Sequence, residues 1–237
     1  ERTARAVADF CAEGKKENAR VLAFATAAVR SSSNGSEFCA LVKRLCGLDV
    51  DVVSGEEEAM LGLCGALGHA DGGVIDIGGA STEVILRKNG SICMSVSLPI
   101  GAVRILDTCG QSAGLIDAYI AQVLEQLHGT GERVPFCAIG GTASTLACMY
   151  LALPEYDAAK VNGVRLELDW VRATALRLLA MSPEERKKIP GMDVRRADVI
   201  AGATVLLSSV MQKLCLSEVT FSDADNLEGY LFVRGLI

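Results

Sequence analysis

The chain has 237 residues, half of them apolar, enough for one large domain or two modest ones with real cores. Its 23 basic and 29 acidic residues leave a formal net charge of −6, and the basic residues are scattered. That balance advertises no nucleic-acid groove, so a polyanionic substrate would need local positive charge or metal ions. Nine cysteines form no CxxC pair, and with His69 and His128 as the sole histidines they argue against a zinc cluster. They read as small buried hydrophobes in a reducing cytosol. The longest apolar region, Val199 to Met211, falls short of the roughly 18 residues that a membrane span needs. It is a candidate core helix, and no membrane partner is expected.

In chain order, Glu1 to Phe10 reads as a helix already under way, as though the chain were cut from something longer. A short buried-strand pattern, Arg20 to Thr26, follows. Asn34-Gly35-Ser36-Glu37 has the form of a capping box that opens a helix ended by Gly47. Leu48 to Val53 alternates as a strand does, and Ser54-Gly55-Glu56-Glu57 is a second capping box, opening a helix through Leu67. Such alternation is the grammar of a layered α/β domain. At Asp71-Gly72 the pattern changes to three strands in quick succession, Val74–Ile77, Thr82–Leu86 and Ile92–Leu98, with Asn89-Gly90 as a hairpin turn. A mixed sheet, and so a new domain, is expected from about residue 70. Next come a helix over about Ser112 to Leu127, a strand Pro135–Ile139 and a helix through Met149. The remainder is mostly helical: Leu166–Ala180, a short helix capped by Ser182, and a long apolar helix from about Arg195 to Leu214. Glu218–Phe221 suits a last strand, and Ser222 to Asp225 cap a final helix.

The chemistry concentrates in two glycine turns. Gly73-Val74-Ile75-Asp76-Ile77-Gly78-Gly79-Ala80-Ser81-Thr82-Glu83 is a buried strand that opens into a turn beside a carboxylate. A buried Asp76 needs a metal, donor or water. Gly78 and Gly79 bare the backbone N–H groups to phosphate oxygens, and Ser81 adds a hydroxyl. Equally, this is a plain hairpin. The second turn, Gly140-Gly141-Thr142, points its donors into a helix N-terminus, which favours anions, or is only a strand-to-helix turn. In the acidic triplet, Glu57 is accounted for by capping and Glu56 suits a solvated first turn. Glu58 faces elsewhere; it either accepts a proton from an attacking water or lies on a solvated face. Arg30 offers a fork of donors for a phosphate, or is a surface arginine, with Asn34 purely a cap.

In this order the motifs resemble the exopolyphosphatase / guanosine pentaphosphate phosphatase family, within the actin-like, sugar-kinase-like, Hsp70-like superfamily. The likeness runs through Ala25 to Arg30 with Asn34, Ser54 to Ala59, Asp76 to Glu83, Ser97 to Arg104 and Gly140 to Ala147. It continues in Met181 to Arg186, Ile189-Pro190-Gly191, Arg196-Ala197-Asp198, Ser222-Asp223-Ala224 and Glu228-Gly229. The resemblance implies an α/β fold of two actin-like (ribonuclease H-like) domains with mixed sheets and flanking helices, the first incomplete, and an active site in the cleft between them. The expected division is 1–70 as a partial first domain, 71–221 as the second, and 222–237 as a C-terminal helix packing back towards the first. It implies removal of terminal phosphate from inorganic polyphosphate or guanosine pentaphosphate, usually with Mg2+, by a cytoplasmic protein that relatives suggest is a homodimer. Glu58 would be the base, with Asp76 placing metal and water. Arg30, Gly78, Gly79, Ser81, Gly140, Gly141 and Thr142 would contact phosphate, and Arg104 is a looser candidate.

Three departures accompany the likeness. The family's opening strand and Asp-x-Gly-Ser-Asn loop would lie ahead of Glu1, so the isolated chain is expected to be inactive or weakly active. Ala80 stands where the family has a third glycine, and Leu227 where it has an arginine. Ala80 and Leu227 also suit a binding module that senses nucleotide or polyphosphate without turnover. A kinase of the same superfamily is a further alternative, for which the sequence offers no recognisable adenosine or acceptor pocket.

Overall fold

The structure is a computed structural model that describes residues 1–129 and 134–237. It divides into two compact units, Glu1–Glu58 and Ala59–Ile237. The division therefore lies inside a helix, where the sequence suggested a boundary near residue 70.

The first unit runs α1 (Arg2–Lys16), β1 (Ala23–Ala25), α2 (Ala27–Arg30), α3 (Gly35–Cys46) and β2 (Val50–Val52) into the start of α4 (Gly55–Leu67). β1 and β2 pair in parallel, Ala23 opposite Val50 and Ala25 opposite Val52. Ala4 and Cys11 on α1 and Val42 on α3 are buried, as the amphipathic spacing of both helices requires. Gly47 ends α3 in the left-handed conformation with φ +79°, as its position predicts. Asn34 does not make the expected capping box. Its backbone, φ −111° and ψ 17°, is not the extended form that an N-cap needs, and its side chain caps nothing. Between β1 and Asn34 lies the one-turn α2, which ends on Arg30.

The second unit continues with β3 (Gly72–Ile77), β4 (Thr82–Lys88), β5 (Ser91–Leu98), α5 (Ala102–Cys109) and α6 (Ala113–Val123). Next come β6 (Phe136–Ile139), α7 (Gly140–Tyr150), α8 (Ala158–Val161), β7 (Arg165–Glu167), α9 (Leu168–Leu179) and α10 (Pro183–Arg186). Last are α11 (Ile200–Lys213), β8 (Glu218–Phe221) and α12 (Asn226–Val233). Its six-stranded sheet has the order β5-β4-β3-β6-β8-β7 and is mixed. β3 is antiparallel to β4 and parallel to β6, with Asp76 opposite Glu83 on one side and Ile139 on the other. The Asn89-Gly90 hairpin forms with positive φ at both residues, 52° and 72°.

Both faces of β3 are covered, which is why every residue from Gly72 to Ile77 is buried. Val74, Ile85 and Ile139 point at Ala59 and Leu63 of α4. Ile75, Val84 and Leu86 point the other way, into a larger core that includes Ile105 of α5, Leu146 of α7 and Leu206 of α11. α12 lies on the α4 side, backbone against backbone. A side chain at Gly65 would strike the Asp225 carbonyl, and one at Gly229 the Leu61 carbonyl. The final helix thus docks on α4, and the sheet delivers the ends of β3, β6 and β8 to one edge.

Candidate functional site

In the first unit, the helix start separates the three glutamates. Glu57 N–H donates to Ser54 Oγ at 3.1 Å, and Ser54 N–H donates to Glu57 Oε2 at 2.7 Å, closing the expected capping box. The Ser54 backbone bond, then its hydroxyl, hold the Glu57 carboxyl below the usual range. Glu56 and Glu57 are exposed, whereas Glu58, one position further round the helix, is 6% exposed. α2 carries Arg30, whose Nη1 donates to Glu58 Oε2 at 3.0 Å and to the Val53 carbonyl at 2.7 Å. The structure therefore brings Arg30 and Glu58 together as a partly buried ion pair. Glu58 Oε1 and the other Arg30 nitrogens take no bond among the described residues.

In the second unit, Asp76 lies at the last-but-one position of β3, before the turn to β4. Gly78 N–H donates across the turn to the Ser81 carbonyl at 3.0 Å, so it is engaged within the hairpin and not turned outward. The turn is braced by α5, a helix that the sequence did not reveal. Its Ala102 N–H donates to the Gly78 carbonyl, and its Val103 and Arg104 N–H groups donate to the Gly79 carbonyl, at 2.9–3.0 Å. Arg104 Nε donates to the Ala80 carbonyl at 2.9 Å, so Arg104 holds the loop's shape. Ala80 does not have positive φ, and its methyl is accommodated without backbone strain. Ser81 is buried, and Thr82 Oγ1 donates to the Ile100 carbonyl at 2.7 Å.

The second turn is built differently. Gly140 has φ +77°, and a Cβ there would lie 2.7 Å from Asp76 Oδ1. Only glycine meets both demands. α7 begins directly at the strand end with Ile139 in the cap position, a residue whose side chain makes no cap hydrogen bond. That is an anion-binding arrangement on a helix of 11 residues. Thr142 is buried, and its Oγ1 donates to the Ile77 carbonyl at 3.3 Å, tying the ends of β3 and α7 together. The guanidinium of Arg196 lies directly over Gly141, in the space that a side chain would fill.

Asp76 is 8% exposed and has a partner that the sequence did not suggest: Asn226 Nδ2 donates to Asp76 Oδ2 at 2.7 Å. The other end of that amide, Oδ1, is shut away from solvent with no hydrogen-bond partner among the described residues. Leaving a buried acceptor unmade costs about 1–3 kcal/mol. Leu227, the next residue, is exposed.

Beside the second turn is a cavity of about 590 Å3, whose wall includes Gly141, Tyr156, Met192, Arg196, Phe221 and Asp223. Tyr156 donates its hydroxyl to Asp223, and burial followed by that bond pushes the phenol well above its ordinary range. Asp225 is also held above the usual carboxylate range, by burial first, against the Leu227 N–H bond that lowers it. Asp193 is held below that range, chiefly by its bond from Arg195. The wall thus offers apolar faces, two arginines and several acceptors.

Among the described residues, no group of three or more His, Cys, Asp or Glu side chains is placed to hold a metal ion. Magnesium does not require one. It keeps several waters and takes one or two carboxylates together with substrate phosphates. Asp76 is a hard oxygen donor beside an anion-binding turn, and this donor set fits that ion and not zinc.

Known proteins resemble the chain in both sequence and fold. The sequence model of the Ppx/GppA phosphatase family matches residues 1–234. The chain is 29% identical over 234 residues to Exopolyphosphatase 2 of Mycobacterium tuberculosis, covering 89% of this chain and 73% of that protein. It is 26% identical over 227 residues to the guanosine-5'-triphosphate,3'-diphosphate pyrophosphatase of Aeromonas salmonicida, covering 91% of this chain and 45% of that one. The crystal structure of the Aquifex aeolicus member of the Ppx/GppA family superposes with a TM-score of 0.83 at 26% identity, over 99% of this chain and 80% of the other. For an exopolyphosphatase from Cytophaga hutchinsonii the TM-score is 0.84 at 26% identity, over 100% and 82%. The α/β fold, the two glycine turns and these likenesses together establish that the chain belongs to the Ppx/GppA phosphatase family.

Proposed function

We propose that the protein hydrolyses the terminal phosphoanhydride of inorganic polyphosphate or guanosine pentaphosphate, releasing orthophosphate. The observation that carries this reading is the buried Asp76 carboxylate set against Gly140, at the uncapped start of α7. A carboxylate beside backbone anion donors suits a terminal phosphate neutralised by a cation. When bound, Mg2+ at Asp76 would supply that neutralising charge. The first-turn N–H groups of α7, through Gly141 and Thr142, would bind phosphate oxygens. The Gly78–Ser81 turn holds its shape around Asp76 and offers Gly79 and Ser81 as further contacts.

Glu58 is proposed as the proton acceptor. Arg30 secures its Oε2, and Oε1 is left to take a proton from water. As the water oxygen bonds to the terminal phosphorus, the bond from phosphorus to the bridging oxygen breaks. The shortened chain leaves with that electron pair, and the proton resides on Glu58. The free guanidinium nitrogens of Arg30 would hold a phosphate oxygen.

The cavity beside Gly141 favours a substrate with a bulky group besides its phosphates, and so guanosine pentaphosphate, whose base would find aromatic faces and acceptors there. The nine cysteines are all free thiols, as a cytoplasmic location would have them, and no described helix is long and apolar enough to cross a membrane.

The test is phosphate release from long polyphosphate and from guanosine pentaphosphate, with Mg2+, by the full-length protein and its Glu58→Gln variant. The variant should lose about 100- to 10,000-fold in kcat, the span of a general base. Equal rates would remove Glu58 from this role.

A further inference from the structure

We infer that Asn226 is a positioning residue, one that fixes the Asp76 carboxylate for the phosphohydrolase reaction proposed above, on which this inference rests. The two residues are 150 positions apart and meet at 2.7 Å. A carboxylate only accepts hydrogen bonds, so the amide must present its NH2 group to Asp76. Its Oδ1 is thereby turned towards α4, where it is buried with no partner among the described residues. A residue chosen for packing alone would be apolar and would leave no such orphan.

The surrounding backbone is arranged to deliver this amide. Asp225 caps α12 by accepting from Leu227 N–H at 2.9 Å, and Asp225 N–H donates to Glu228 Oε2 at 2.9 Å, which fixes the first turn that carries Asn226. Gly65 and Gly229 let α12 approach α4. At Gly62 a Cβ would lie 3.0 Å from Asn226 Oδ1 and 2.8 Å from Ile139 Cδ1, so glycine leaves room for the amide itself. With Oδ2 tied to Asn226 and Oδ1 against Gly140, the plane of the Asp76 carboxylate is set from both ends. Orientation by an outer partner of this kind typically contributes 10- to 100-fold to activity or metal affinity.

Two measurements test this on the full-length protein. The first is the side-chain NH2 signal of Asn226 in proton–nitrogen NMR spectra, which needs no turnover. One amide proton should be shifted downfield and slow to exchange, and Asp76→Ala should abolish that signature. The second is phosphate release with Mg2+, from whichever of polyphosphate and guanosine pentaphosphate the wild type hydrolyses, by Asn226→Leu and by Asn226→Asp, a variant of equal size that cannot donate when ionised. Both should lower kcat about 10- to 100-fold and leave KM within about threefold, while Asn226→Leu melts at or above the wild-type temperature. Unchanged kcat in both variants, or a fall in kcat that only follows a fall in melting temperature, would overturn the inference. Should the wild type release no phosphate from either substrate, the functional reading falls. The amide signature then decides Asn226 alone: its loss in Asp76→Ala upholds the contact, and its persistence overturns it.

Discussion

Gly78-Gly79 and Gly140-Gly141 each follow a buried strand, and a hydroxyl residue follows each within two positions, yet their backbones are arranged in opposite ways. At the first pair neither glycine has positive φ, the Gly78 N–H is engaged inside the hairpin, and α5 caps the carbonyls from outside. At the second pair the leading glycine is left-handed, has the Asp76 carboxylate where a Cβ would lie, and opens a helix whose cap residue, Ile139, makes no side-chain cap. The first turn is chiefly a bracket around Asp76, to which the proposed contacts from Gly79 and Ser81 are secondary. The second is the one proposed to present donors. A Gly-Gly dipeptide after a strand therefore does not identify a phosphate loop; where the free N–H groups point does.

The sharpest break of that contrast is Gly140→Ala. An L-residue in the left-handed region costs roughly 1–2 kcal/mol, and the methyl must also displace a carboxylate held by Asn226. We expect a total loss of about 2–3 kcal/mol in denaturant unfolding, and a drop of about 100-fold in phosphate release as Asp76 is misplaced. Wild-type stability and turnover in the Gly140→Ala variant would show that neither the φ nor the contact matters.

A smaller effect tests the bracket. Ala80→Gly restores the glycine that the family resemblance leads one to expect. Ala80 lacks positive φ and its carbonyl is fixed by Arg104, so the methyl hinders nothing within the turn. The substitution should destabilise by about 0.4–1 kcal/mol, by loosening the unfolded chain, and should not raise the rate of phosphate release. A severalfold gain in rate would mean that the Ala80 methyl does obstruct phosphate, and that the first turn is a donor loop after all.

How much of this was legible beforehand depended on whether the cause was local. The Ser54, Ser182 and Asp225 caps form as the sequence suggests, because a capping box is decided within four residues. The strands around Asp76 and the left-handed Gly47 and Gly90 are local as well. α5 escaped notice because it has only eight residues and buries just Ala102, Ile105 and Cys109 behind a Pro-Ile-Gly stretch that reads as a turn. β7 is three residues running straight into α9, with Leu166 its one buried side chain. Asn34 failed as a cap through its backbone angles, which the residue types alone do not report. Among the candidate residues, Asp76, Glu58 and Gly140 stood out by motif, whereas Asn226 gave no signal, since its reason for being there lies 150 residues away. Arg196 matched a motif with no role attached until the fold placed it over Gly141.

The smallest expected effect is Gly79→Ala. Gly79 is exposed, lacks positive φ, and a Cβ there would meet only the Val103 side chain at 3.4 Å, an ordinary contact. Its carbonyl bonds from Val103 and Arg104 involve no atom that the substitution changes. Stability should move by no more than about 0.5 kcal/mol, with a slight gain favoured because alanine restricts the unfolded chain. What the variant does to KM separates the two functions of a glycine turn. If the backbone of Gly79 only supports the bracket, KM for polyphosphate stays within about twofold of wild type. If a phosphate oxygen approaches it closely, the methyl intrudes and KM rises tenfold or more at unchanged stability, about 1.4 kcal/mol of lost binding. That second outcome would uphold the Gly79 contact alongside that of Gly141, and would make the two turns alike in function despite their opposite backbones.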